Sequence, residues 1–506
     1  MNRKSAGLLS VDLAMLVALF LPWTGHLTIA GVAASSIRYL AIGLTLAWSD
    51  VVLILAVTTM LLTYPLANML NVLRGKDSRT SKVFIPLTIS LIPLILLPLQ
   101  FAREIMFESL PVLSWGYWLY LSGWLAGALL EWRVQRPSFA FAATPLALFA
   151  VITFWHSPFP QTIALVNGTL IDGSGASPVA DAVVLVQNDR IIAAGSSASV
   201  TIPSAAQIID VKGGTILPGF IDAHVHSGYD PKKLESWAQD GVTTVCDLSE
   251  PVYVMFSVKR ELFAEYPRFA SVIAVGHFLT VENGYPMSYH DHPSLIVTSP
   301  DDARAKTQYL INQGADMIKI AFSSSGNSLT PEEVRAIVEV AHRNGKLVHV
   351  HQEDSFDIDA VLPTGIDVLE HSYTEIPEKT VRAMLDQNVS WVPTLAVLRR
   401  TYGSRAIASF VQMGGRVAMG TDAGFLMPPG LSMEEIKALA KSGMSPMDVI
   451  VAGTQNSAYV CGVSDQLGTV EPGKTADILV VAGDPLQDLN VLSETQLVIH
   501  HGKVIY

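Results

Sequence analysis

Cysteine is almost missing from this chain. Only Cys246 and Cys461 occur among 506 residues, which excludes a cysteine-built zinc site and a disulfide framework; the two read as buried thiols. Charge is scarce as well, at 15% of residues, while half the residues are hydrophobic and the mean hydropathy is +0.38. What charge there is divides unevenly. Residues 1–161 hold 10 Lys/Arg against 6 Asp/Glu, and the remainder 23 against 39. A region that acidic excludes nucleic acid as a partner. Histidine follows the acids, with 11 of 13 after residue 161, so the chemistry belongs to the C-terminal part. A chain of this length requires more than one domain.

The first 160 residues are built from apolar runs, at about 7–24, 51–72, 83–101, 112–130 and 138–156, each near the length of a membrane-spanning helix. A sixth run, 27–47, carries Arg38 and reads as a span, a re-entrant piece or a loop. Asp12 interrupts the first run, which argues against a cleaved signal peptide. Arg74, Lys76, Arg79 and Lys82 crowd one short loop and Arg133 and Arg136 another, and the positive-inside rule places both in the cytoplasm. One crossing later, the C-terminal domain is expected outside it. Paired charges are missing from the spans, so the bundle reads as an anchor in the lipid bilayer rather than a transport path.

Beyond residue 161, Val/Ile-rich runs alternate with Gly, Asn and Asp turns over 162–217, and the same style returns at 466–506. These two pieces are expected to form one β-sandwich. Between them, over 218–465, strand and helix signals alternate, with helical stretches at 301–313, 331–344 and 431–442, which predicts a (β/α)8 TIM barrel. In such a barrel the chemistry gathers at the C-terminal strand ends, and the polar residues fall there. His224 and His226 sit two apart on a strand, so both imidazoles point the same way, an arrangement suited to a divalent metal; two packed core histidines are the plain alternative. Lys319 lies in an apolar strand where an ammonium is costly unless paired; a salt bridge at the strand end is the plain alternative. His349, His351, His371 and Asp422 close later strands.

The stretches Leu217-Pro218-Gly219-Phe220-Ile221-Asp222-Ala223-His224-Val225-His226, Gly241–Val245, Lys319, His349, Glu370-His371, Gly420-Thr421-Asp422-Ala423-Gly424 and Pro472–Asp477 together resemble the amidohydrolase superfamily over about 162–506, most closely its imidazolonepropionase and Xaa-Pro dipeptidase branch. The resemblance implies that His224, His226 and Asp422 hold one metal ion, that His349 and His371 hold a second, and that carboxylated Lys319 bridges them, with Zn²⁺ suited to such ligands. It implies a hydrolase that cleaves a C–N bond of a small amide, peptide or cyclic amide through a metal-activated water, with Asp422 as ligand and base. His277, Tyr285, His290 and His351 are the expected substrate contacts. The chain departs from the family in the loop 277–286 and in the helix around Gly453–Ala458. The competing reading is a membrane sensor whose barrel binds a ligand without turnover.

Overall fold

The computed structural model describes residues 162–226, 228–249, 267–285, 294–323, 327–352, 354–371, 375–398, 404–424 and 427–506. The chain divides after Pro158, and every described residue falls in the second unit, Phe159–Tyr506.

Strands β1 (Thr162–Leu170), β2 (Val179–Gln187), β3 (Arg190–Ser196), β4 (Gln207–Asp210) and β5 (Thr215–Pro218) join the late strands of the chain in one sheet. Its two faces follow the period-2 alternation of side chains. Val184 and Val186 of β2 pack on one face with Leu165, Ile478 and Ile499, whereas Val183 and Leu185 meet Ala164 on the other. The late strands are Ile478–Val481, Thr495–His500 and Lys503–Val504. The first of them lies antiparallel to β5, with Leu217 opposite Leu479.

One residue beyond β5 begins the parallel part: β6 (Phe220–Val225), β7 (Val242–Asp247), β8 (Ser271–Ala274), β9 (Phe278–Thr280), β10 (Ser294–Ile296), β11 (Ile318–Ala321), β12 (Val348–His351), β13 (Val368–Glu370) and β14 (Ser390–Val392). Ladders join β6–β7–β8 and β10–β9–β11–β12–β13–β14. Hydrogen bonds outside these ladders close the gaps. Asp316 N–H donates to Ala274 O, between β8 and β11. Residues 417–423 fit between β14 and β6: Ala418 N–H donates to Trp391 O and Ala223 N–H to Met419 O, each at 2.9 Å. Strands β6, β7, β9 and β11 to β14 are buried along their whole length, as parallel strands covered on both faces are, whereas β8 and β10 are partly exposed.

The covering helices start where their sequences say they should. Helix α1 (Pro300–Gln313) has Ser299 accepting Asp302 N–H, proline in its first turn, and a left-handed Gly314 at its end. Helix α2 (Pro331–Arg343) opens with a Thr330–Glu333 capping box and buries Val334, Ile337, Val338 and Ala341, the i, i+3, i+4, i+7 stripe of a one-sided helix.

Among the described residues, no helix is long and apolar enough to cross a membrane. A span needs about 20 apolar residues; α1, the longest described helix, has 14, with Asp, Lys, Arg and Gln along it. The expected fold class is corrected accordingly. An α/β fold stands, whereas an all-α transmembrane bundle ahead of it is not supported, and neither is a multi-pass membrane location or a bilayer partner. The runs between residues 7 and 156 lie outside the described residues.

A second correction concerns the cysteines. Cys246 on β7 and Cys461, which follows the short helix Ser457–Val460, are joined in a disulfide with Cα atoms 6.4 Å apart, 215 residues apart in sequence. The closed ring of strands brings together what the sequence separates.

Candidate metal centre

The site forms where β6 ends against the turn after residue 420. His224 and His226 leave β6 on one side, and Asp422 reaches them from the turn, Oδ1 lying 3.6 Å from His224 Nε2 and 3.1 Å from His226 Nε2. One donor atom from each of the three falls within 4.8 Å of the others. The turn is tightly fastened to β6. Asp422 N–H donates to His224 O at 2.7 Å and His226 N–H to Ala423 O at 2.7 Å. Asp222, buried on β6, accepts Thr421 N–H at 3.0 Å and the Thr421 hydroxyl at 2.5 Å. Burial pushes its carboxyl up to about 7 against the pull of those bonds.

Two glycines permit the approach. A Cβ on Gly420 would lie 2.4 Å from Val392 Cγ1, and one on Gly424, at φ +123°, 2.1 Å from His226 O. Asp422 itself adopts φ 56°, and His371 and Thr394 adopt 73° and 47°. Left-handed non-glycine residues gathered at strand ends carry local strain of the kind found at functional sites.

His371 follows β13, and its left-handed backbone turns its ring toward His224, at 4.8 Å between centroids. Its Nδ1 meets the Thr394 hydroxyl at 2.8 Å, and His351 of β12 stands edge-on to it at 4.6 Å. Tyr285 stacks flat on His351 at 3.7 Å. Burial, together with neighbouring Lys319 and His224, holds His351 well below the ordinary histidine range, and burial with His351 and His224 does the same for His371. Uncharged imidazoles are the ligating form.

Glu370 joins the cluster from behind. Its Oε2 accepts from His224 Nδ1 at 2.7 Å and its Oε1 from His349 Nδ1 at 2.5 Å. Although burial opposes the charge, Lys319, His224 and these bonds keep its carboxyl well below the usual range. His224 Nδ1 is thereby a donor, which directs the lone pair of Nε2 toward Asp422. His349 donates its other nitrogen, Nε2, to Val460 O at 2.9 Å. Both of its nitrogens serve acceptors, and neither lone pair is left for a cation. Lys319 is 1% exposed, its Nζ makes no hydrogen bond, and its nearest carboxylate oxygen, Glu370 Oε1, is 4.0 Å away. Burial lowers its ammonium to about 8.

The structure thus brings together His224, His226, His351, His371, Asp422 and Lys319, and turns His349 toward Glu370 and Val460. Of the expected substrate contacts, Tyr285 lies against His351. His277 sits between β8 and β9, half-buried, with Nδ1 lacking a hydrogen-bond partner. His290 lies outside the described residues. Glu370, Asp222 and Thr394 had no assigned role, although Glu370 stands beside His371 in sequence. Two imidazoles and a carboxylate held ionised against burial, beside a buried amine that makes no hydrogen bond, fit a divalent cation bound through nitrogen and oxygen.

Residues 215–505 match the model of the Amidohydrolase family. Ochratoxinase of Aspergillus niger is 26% identical over 252 residues, 44% of this chain, so the match spans about half (52%) of that relative. Enamidase of Eubacterium barkeri is 26% identical over 350 residues, 63% of this chain and 86% of the enamidase. Among solved structures, a Xaa-Pro dipeptidase with bound methionine superposes with a TM-score of 0.61 at 22% identity, covering 68% of this chain and 99% of that one. At that identity the likeness is one of fold.

Proposed function

The chain belongs to the amidohydrolase family, and we propose that it is a metal-dependent hydrolase of a C–N bond in a small amide, peptide or cyclic amide, akin to the imidazolonepropionase and Xaa-Pro dipeptidase branch. The observation that carries the proposal is the His224–His226–Asp422 cluster backed by Glu370 and faced by the buried Lys319 amine, which makes no hydrogen bond. Relatives named enamidase, imidazolonepropionase and Xaa-Pro dipeptidase support the class of bond.

His224, His226 and Asp422 would hold one divalent cation, Zn²⁺ by the chemistry of the donors. His351 and His371 would hold a second, with Lys319 between the two. The choice of His351 over His349 rests on the hydrogen bonds that commit both His349 nitrogens. Lys319 is suited to carboxylation, because its lowered pKa leaves part of the amine neutral. That amine adds CO2 and loses a proton, and a buried cation becomes an anionic oxygen donor. When bound, divalent cations supply Lewis acidity toward water and a carbonyl.

The protein's own residues do the rest. Asp422, ionised despite its burial, takes a proton from the attacking water on a carboxylate oxygen and returns it to the leaving nitrogen. The Asp222–Thr421 bonds fix the turn on which Asp422 rides. Tyr285, stacked on His351, forms a flat wall for the group beside the scissile bond.

The test is a zinc-loaded preparation assayed on dipeptides, N-acyl amino acids, lactones and cyclic ureides. Hydrolysis of an amide or cyclic amide, lost on chelation and in Asp422→Asn, is expected. Two metal ions per chain should fall to one or none in Lys319→Ala, with partial recovery on adding a short carboxylic acid. Loaded protein that leaves every C–N bond intact, or a fully active Asp422→Asn, refutes the reading.

A further inference from the structure

We propose that His349 is a positioning residue for His224, and that the Cys246–Cys461 disulfide anchors the line through which it acts. The line is continuous. Cys461 follows Val460, whose carbonyl accepts from His349 Nε2 at 2.9 Å. His349 Nδ1 donates to Glu370 Oε1 at 2.5 Å, and Glu370 Oε2 accepts from His224 Nδ1 at 2.7 Å. Every member from Val460 to Glu370 is buried, so no water competes for these bonds, and each orients the next in a low-dielectric setting.

The far end of the disulfide is equally well placed. Cys246 precedes Asp247, which accepts the N–H of Gly228 at 2.6 Å and of Ser249 at 3.1 Å. Gly228 lies two residues beyond His226. β7 also pairs directly with β6, Val245 opposite Asp222 and Asp247 opposite Val225. One covalent bond therefore ties together the strand beside the two histidines and the helix end that supports His349. Without it, the Val460 carbonyl rests on a short helix, Ser457–Val460, entered through one irregular π-type turn, Ala452–Asn456. The Cys461 end of the disulfide thus bears on His224 through Val460, His349 and Glu370, beside the direct pairing of β7 with β6.

The inference rests on the metal-centre reading, and its test separates the two. Full-length protein is stripped of metal and titrated with Zn²⁺ against a competing chelator. Alongside run His349→Gln, the pair Cys246→Ala/Cys461→Ala, and the triple variant. Outer partners of ligating histidines are worth roughly 10–100-fold in metal affinity. His349→Gln should weaken zinc binding by about that factor. The cysteine pair should weaken it by a smaller factor, and the triple variant should lose less than the product of the two losses, because the route through Val460 is shared. In ¹⁵N-histidine-labelled protein, the hydrogen-bonded Nδ1–H resonance of His224 should shift in each variant. A merely structural role predicts unchanged affinity in whatever fraction folds. Wild-type zinc affinity in His349→Gln, or losses that multiply fully in the triple variant, overturns the proposal. If His349→Gln does not fold, the cysteine pair decides: wild-type affinity and an unshifted His224 resonance overturn it. Wild-type protein that binds no zinc instead fails the metal-centre reading.

Discussion

Gly424→Ala is the most direct test of how the turn after residue 420 is built. The added methyl would sit 2.1 Å from His226 O, 2.6 Å from the carbonyl carbon and 3.2 Å from Cα of the same residue. It falls roughly 1.3 Å short of an ordinary contact with that oxygen, and the obstacle is backbone, which cannot swing aside as a flexible side chain does. The position also holds φ +123°, at a cost of about 1–3 kcal/mol for an L-residue. Overpacking adds about 1–3 kcal/mol, so a loss of about 2–6 kcal/mol is expected in metal-free unfolding by denaturant. The same displacement moves His226 against Asp422, and a misplacement near 1 Å costs on the order of 100-fold in activity. Gly473→Ala is the control. Its φ is +96° but nothing lies within 4 Å of the new methyl, so it should lose only the conformational part and bind zinc normally. A Gly424→Ala protein as stable as wild type, with unchanged zinc affinity and turnover, would refute the reasoning.

Two further outcomes can be checked. His351→Ala should weaken zinc binding beyond the roughly 10–100-fold of an outer partner and remove turnover; a change confined to KM would return His351 to a substrate contact. Glu435, buried behind the turn with Oε2 accepting Ala396 N–H at 2.6 Å, has its carboxyl pushed up to about 8 by burial. Its folded pKa lies above the unfolded value, so its stabilising contribution is present below about pH 4.5 and is lost as pH rises through 8. Each tenfold change in an acid constant between unfolded and folded protein is worth about 1.4 kcal/mol. Metal-free Glu435→Gln should therefore show a shallower fall in unfolding free energy between pH 5 and 9; curves parallel to wild type would contradict this.

The histidine pair on β6 was legible because a strand's period of two puts i and i+2 on one face. Asp422 was legible from its place at a strand end and from the Gly420–Gly424 stretch that carries the resemblance; the structure adds that both glycines are needed for the close approach. The same period could not choose between His349 and His351, which share a face. Depth separates them: His349 pairs in register with Lys319 inside the strand, and His351 with Ala321 at its end. Glu370, noted only as part of the Glu370-His371 stretch, was given no role because adjacent strand residues point to opposite faces; the left-handed backbone of His371 breaks that alternation and lets both turn inward. No local pattern announces a bond between cysteines 215 residues apart. The apolar runs of the first 160 residues gave a hydropathy signal, and their length was read as spans without any contact to test it.

The pairing of β5 with the strand Ile478–Val481 has a consequence for how the protein is made. β5 leads straight into the strand bearing His224 and His226, yet its antiparallel partner is synthesised long after it. At roughly 5–20 residues per second, Leu479 leaves the ribosome some tens of seconds after Leu217, and until then one edge of β5 has no neighbour. A nascent chain stalled before residue 478 should expose that edge, stay open to protease within 215–226, and require a holding partner that a chain with residues 478–481 in place can do without.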